Sequence, residues 1–262
     1  MAGATSWTLS RSFGIIAGSM TWRVQLAGDP SALRELAKVM QTPEATIHEE
    51  GSAFVLESTH FTGCTESGEV QAQAAKLAEW LSGTAALALG TRTPITAGAI
   101  EGPPATNGGR SIYVTATIAA HVSLTAWATV TRNRPDGTVE TIHPADPVAA
   151  WLSLAQRRPE VADVLRQWGT GARDWYTLYQ LREKIEAAAG GDGQIAARGW
   201  TSRAKQRRFD HTANSEAILG DAARHGVQRT TPPANPMTLG EAQQLIERLI
   251  RGWLEELRAS GS

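Results

Sequence analysis

Apolar and polar positions follow two different periods along this chain, and the change from one to the other falls near residue 143. In "TWRVQLAG", Trp22, Val24 and Leu26 occupy every second place, the period of a strand with one buried face. "GDPSALRELAKVM" follows, with Asp29 and Pro30 at a helix start and Leu33, Leu36 and Met40 on one face. "ATIHEEGSAFVLES" reads as two short strands joined at Glu50-Gly51. "EVQAQAAKLAEWLSG" sets Val70, Ala74, Leu77 and Leu81 at helical spacing, with Gly83 as the expected stop. The Pro/Gly-rich stretch 99–110 is expected to be a loop. The run "RSIYVTATIAAHVSLTAWATVTRNRPDGTVETI" is rich in β-branched and aromatic residues, and Asp136-Gly137 marks a hairpin.

After "HPADP" the strand pattern disappears. Asp146-Pro147 and Arg158-Pro159 each precede a helical run carrying Trp151, Leu154, Val161, Val164 and Leu165. Asp174 caps "DWYTLYQLREKIEAAAGG", which aligns Trp175, Leu178, Leu181, Arg182 and Ile185 and stops at Gly190. "RTTPPANP", residues 229–236, is a stiff connector. Beyond it Thr238 and Glu241 have capping-box spacing, and Leu239, Ala242, Leu245, Ile246, Leu249, Ile250 and Trp253 form one stripe. The predicted fold class is α+β: a mainly antiparallel sheet with helices over 20–143, then a helical bundle over 144–258. Residues 1–19 lack this patterning and read as a disordered tail before Met20.

Composition changes this picture little but removes several function classes. Apolar residues make up 42% and charged residues 19%, values of a globular chain. A net charge of −1 gives no overall attraction to nucleic acid or anionic membranes, so any such affinity must be local. The single cysteine, Cys64, excludes an intramolecular disulfide and a Cys-based zinc set, and is expected to be a packing residue. No run reaches the length of a membrane span, and a cytoplasmic location is expected. His48, His60, His121 and His143 lack metal-ligand spacing, so no metal is expected. "GTGAR", residues 169–173, lacks the Lys-Ser/Thr ending of a phosphate loop, G-x-S-x-G is missing, and no cofactor is expected.

The chemistry-bearing stretch is 198–226, where "RAKQRRFDH" runs into "TANSEAILGDAARHG". Arg203, Arg207 and Arg208 supply phosphate affinity, and Arg203 and Arg207, four apart, share a helix face. If the segment is catalytic, His211 or His225 is the base that activates a ribose hydroxyl and Arg224 stabilises the phosphorane. The alternative is structural. Asn214 and Ser215 are natural caps, "SEAILGDAARHG" can be one short helix ending at Gly226, and Asp221 can pair with Arg224. Trp200, beside the basic run, is a candidate base-stacking platform, whereas the other tryptophans of the helical half suit a core.

The motifs "VADVLRQWG", "DWYTLYQLREKIEAAAGG", "RGWTSRAKQRRFDHTANSEAILGDAARHG" and "PPANPMTLGEAQQLIERLIRGWL", with the opening "MTWRVQLAGDP", resemble a group of uncharacterised bacterial proteins of about this length. That resemblance covers roughly residues 20–255 and implies one shared architecture and a bacterial origin, with no assigned activity. The helix "LYQLREKIE" followed by a late Arg- and His-bearing segment is also similar to HEPN domains, helical bundles often found in RNA-cutting toxins and antiphage proteins. This second resemblance implies a metal-independent ribonuclease of a defence or toxin system. The HEPN motif places four to six residues between its Arg and His. Here three and two residues separate Arg207 and Arg208 from His211, and Arg224 and His225 are adjacent. The leading expectation is therefore a non-enzymatic binding or regulatory module that meets an anionic or protein partner, RNA included, through its helical half. A further alternative is a subunit of a larger assembly, or a homo-oligomer, joined through the C-terminal amphipathic helix.

Overall fold

The computed structural model describes residues 22–104, 110–114, 130–133, 139–191, 193–220, 223, 231 and 233–261. The expected tail at 1–19 lies outside them, as do the turn at Asp136-Gly137 and residues 229, 230 and 232 of the connector. The chain has the α+β architecture that its patterning predicts. Strands β1 (Arg23–Ala27), β2 (Ala45–Glu50), β3 (Ala53–Ser58), β4 (Thr96–Glu101) and β5 (Ile112–Tyr113) form an antiparallel sheet in the order β2-β3-β1-β4-β5. Helix α1 (Pro30–Val39) and helix α2 (Ser67–Leu89) interrupt the strands. A separate hairpin pairs β6 (Val130–Asn133) with β7 (Val139–Ile142). The loop expected at 99–110 starts later, because Ala99, Ile100 and Glu101 continue β4, with Ile100 buried beside β1.

Local chemistry explains most boundaries. The Asp29 carboxylate accepts from the Ser31 N–H at 2.9 Å and starts α1. Val24 and Leu26 of β1, Phe54 and Leu56 of β3 and Ile47 of β2 point inward. They pack on Leu33 and Leu36 of α1 and on Val70, Ala74, Leu77 and Leu81 of α2. On the outer face Arg23 stands opposite Glu57 and Glu101 in register and pairs with both, at 3.1 and 2.9 Å. Cys64 packs against this core and its carbonyl accepts from Trp22 Nε1 at 2.9 Å.

The helical region comprises α3 (Val148–Arg157), α4 (Pro159–Thr170), α5 (Trp175–Ala188), α6 (Gln194–Ala197), α7 (Arg203–Ala213), α8 (Glu216–Leu219) and α9 (Leu239–Ala259). Asp174 caps α5 through the Thr177 N–H at 2.8 Å, and Thr238 with Glu241 closes a capping box on α9. At the entry to α3, His143 Nδ1 accepts from the Ala145 N–H, which leaves Nε2 to meet the Glu35 carboxylate on α1. The stripe of α9 is buried from Ala242 through Trp253 against the chain's own bundle, and Leu239 alone of the expected set is exposed, at 40%.

One boundary departs from expectation. α2 does not stop at Gly83 but continues to Leu89, where Gly90 at φ 68° supplies the left-handed cap. Gly83 is placed by packing. A Cβ there would lie 2.7 Å from the Leu165 carbonyl carbon and 2.9 Å from its Cα, closer than any real Cβ approaches. Across the contact, a Cβ on Gly169 of α4 would lie 2.6 Å from the Ser82 carbonyl carbon. α2 and α4 therefore touch backbone to backbone. The extra turns of α2 carry Ala86 and Leu87 into the bundle's core, while its earlier turns belong to the core under the sheet. Helix α3 is shared similarly, with Val148 and Leu152 in one core and Trp151, Leu154 and Ala155 in the other.

Candidate functional site

Helix α7 carries the basic run. Ser202 caps it by accepting from the Lys205 N–H at 3.2 Å. Its buried residues are Gln206, Phe209, Thr212 and Ala213, a narrow stripe with a single large apolar side chain. Phe209 is fully buried, 5.8 Å from the Trp175 ring and stacked at 6.1 Å on Tyr179, both from α5. At 100° per residue Arg203, Arg207 and His211 fall opposite this stripe, and all three are exposed.

The two flanks of α7 are tied to its neighbours. On one side the Arg208 guanidinium spans both Glu241 oxygens at 3.0 Å and donates to the Asn235 and Pro236 carbonyls, each at 3.0 Å. Thr212 Oγ1 accepts from the Met237 N–H at 2.9 Å just below. On the other side Arg182 of α5, with a side chain 11% exposed, reaches Asp210 at 3.3 Å and Glu186 at 2.9 Å. Asn214 ends the helix, its Nδ2 donating to the Asp210 carbonyl at 2.8 Å. Its buried Oδ1 has no partner among the described residues.

Hydrogen bonds from Arg208, and then from the Thr238 backbone and hydroxyl, hold the Glu241 carboxyl down to about 2. A carboxyl depressed on folding stabilises the folded state above its ordinary value of 4.5, and that contribution is lost as pH falls toward about 2. Glu241→Gln should therefore melt below the parent at neutral pH. The gap should narrow as pH drops through that window, read from thermal unfolding at a series of pH values. A gap independent of pH would disprove the role of the charge.

The expected site residues are not all brought together. Arg203, Arg207 and His211 share the outer face of α7, Arg208 is engaged in the clasp to α9, and Asn214 is partly buried at the helix end. Asp221, Arg224 and His225 lie outside the described residues. "SEAILGDAARHG" is not one helix: α8 ends at Leu219, because Gly220 adopts φ 55° and ψ −133°, which no helix contains. Trp200 is not an open platform. Its indole lies against Gly252 of α9, where a Cβ would sit 2.6 Å from the ring, and Arg198 covers it at 5.7 Å. Sequence reasoning placed Arg182 on the α5 stripe and Glu241 in a capping box but missed both as the partners that immobilise α7, and it missed Arg248 of α9. Arg248, Lys205 and Arg208 line a basin of about 130 Å3.

Arg203, Lys205, Arg207 and Arg248 are exposed and make no ion pair among the described residues. A cleft of about 440 Å3 opens between α4, α5 and α9 over Val164 and Trp253. The two acids on its rim are already matched, since Asp163 pairs with Lys184 and Arg166 and Glu160 with Arg158. Burial works against the charged form of Asp163, but hydrogen bonds from both cations hold its pKa below the ordinary value. No group of His, Cys, Asp and Glu among the described residues could hold a metal ion. No helix there is long and apolar enough to cross a membrane. No protein family, curated protein or solved structure matches the chain.

Proposed function

We propose that the protein is a non-enzymatic binding module whose helical half engages an anionic partner along α7 and the adjoining flank of α9. The observation that carries this reading is the set of outward cations, Arg203, Lys205, Arg207 and Arg248, without acidic partners among the described residues. In a chain of net charge −1, Arg203 and Arg207 on the outer face of α7, with Lys205 and Arg248 on the flank it shares with α9, make a local field that the whole molecule does not have. The clasps to Glu241 and Asp210 hold that face rigid, so little side-chain and helix ordering remains to be lost on binding.

Fluorescence anisotropy with a labelled single-stranded RNA, and with an acidic peptide as comparator, tests the reading. Four cations neutralising phosphates predict a slope of log affinity on log salt of about −3 for single-stranded RNA. Arg203→Glu with Arg207→Glu should weaken binding roughly tenfold or more, since each charge reversal replaces attraction by repulsion. Preference for the peptide would make the partner a protein, and no binding of either would end the proposal. One observation favours a second reading, the HEPN-like ribonuclease: Arg207 and His211 stand four apart on the exposed face of α7. The same RNA, run on a gel after incubation with a chelator, separates the two. Cleavage lost in His211→Ala supports the nuclease, and intact RNA leaves the binding module.

A further inference from the structure

The turn between α4 and α5 is "GTGAR", which fails as a phosphate loop by sequence yet folds into an unusual place. Gly169, Thr170, Gly171, Ala172 and Arg173 form one wall of a cleft of about 240 Å3, and Arg92, Pro94 and Gln243 complete it. No carboxylate lines it. Arg173 sits at φ 51°, the one non-glycine residue in left-handed conformation among those described. That geometry is disfavoured for an L-residue and persists where the surroundings over-determine it.

What fixes Arg173 is visible. Its Nε donates to the Trp168 carbonyl at 3.0 Å, its guanidinium lies 4.2 Å over the Trp168 ring, and Gln243 Nε2 donates to its carbonyl at 3.1 Å. Neither terminal nitrogen of the fork makes a hydrogen bond among the described residues. Arg92 enters from the loop after α2, exposed and without a hydrogen bond or ion pair among the described residues. Burial first, then the neighbouring Arg92 charge, lowers the Arg173 pKa, against the attraction of Glu247. Glu247 itself is held by Arg251 at 2.9 Å. Two guanidinium groups thus face one small cavity with a strained backbone and no acid in its lining. Like charges gathered in this way raise the free energy of the empty site, and a dianion that bridges them removes the repulsion.

We propose that this cleft is a phosphoryl-binding site, in which Arg92 and the free end of Arg173 grip a phosphate monoester or free phosphate. The backbone N–H groups of Ala172 and Arg173, which donate to no described residue, can complete the cradle. Planar forks matched to tetrahedral oxygens favour phosphate over a single carboxylate. A volume of about 240 Å3 falls short of the ~300–1,000 Å3 of common ligand pockets, which suits a compact ligand. The site is distinct from the outer face of α7 in every residue.

Isothermal titration of the full chain with inorganic phosphate and with adenosine monophosphate, against chloride at matched ionic strength, is the test. Saturable binding of either is expected. Tighter binding of the nucleotide would identify a monoester, and equal or tighter binding of phosphate would identify the free ion. Arg92→Ala, at an exposed position, and Arg173→Ala should each weaken binding roughly tenfold or more. Arg203→Glu with Arg207→Glu should leave it unchanged, so this site and the polyanion face fail independently. No saturable heat with either ligand, or parental affinity in Arg92→Ala, overturns the proposal.

Discussion

Gly83→Ala is expected to destabilise the protein by about 3 kcal/mol or more, and Gly169→Ala similarly, because both place a methyl group into backbone. Two effects compete. Alanine is the better helix former by about 1 kcal/mol, so the same change in open solvent would stabilise α2. At Gly83 the Leu165 carbonyl and Cα stand in the way, and neither can rotate aside as a flexible side chain could. Relief requires α2 and α4 to move apart, which opens the seam between the two cores that α2 joins. For a chain of this size the loss corresponds to a fall in Tm of about 6–12 °C. Gly240→Ala, in the first turn of α9 with nothing within 4 Å of its Cβ, is the control and should melt within a degree or two of the parent. Equal melting of Gly83→Ala and the control would contradict the packing described.

Phe209→Ala carries the second large effect, about 3–5 kcal/mol from burial and cavity formation. The ring is wholly buried between Trp175 and Tyr179 and is the one large apolar anchor of α7. Gln206, Thr212 and Ala213 offer little area to compensate, and the clasps to Glu241 and Arg182 are partly exposed ion pairs of modest worth. Loss should appear in denaturant unfolding as a lower midpoint and in hydrogen exchange as faster exchange across 203–213 than across 67–89. It should also weaken polyanion binding with no charge removed, because Arg203, Lys205 and Arg207 hold their register only while α7 is docked. Phe209→Leu should recover most of the stability. A loss under about 1 kcal/mol in Phe209→Ala would show that α7 is held by its polar contacts instead.

What the sequence displayed was whatever acts within a few positions. Asp29, Asp174 and the Thr238–Glu241 box bind amides two or three residues away, and each helix start is where its cap predicts. Strand alternation at Trp22, Val24 and Leu26 is equally local, and all three are buried. Long-range effects were hidden. Gly83 looked like a terminator because a glycine at a helix end and a glycine at a helix crossing are the same letter. α7 was hard to see because a stripe of Gln, Phe, Thr and Ala hardly differs in hydropathy from its surroundings. Arg208 gave no sign that its partner was Glu241, 33 positions on, and it appeared as one more cation of a binding run. Arg92 and Arg173 carry no shared motif, and only the fold sets them across one cleft.

The sharing of α2 and α3 between two interiors bears on how the chain can be divided. A cut near residue 143, where the pattern of the sequence changes, would pass between surfaces that are each other's filling, leaving Ala86 and Leu87 stranded on one fragment and Val148 and Leu152 on the other. Swapping, splitting or tagging is better aimed at the ends of the chain than at that junction, since only there does it leave both interiors closed.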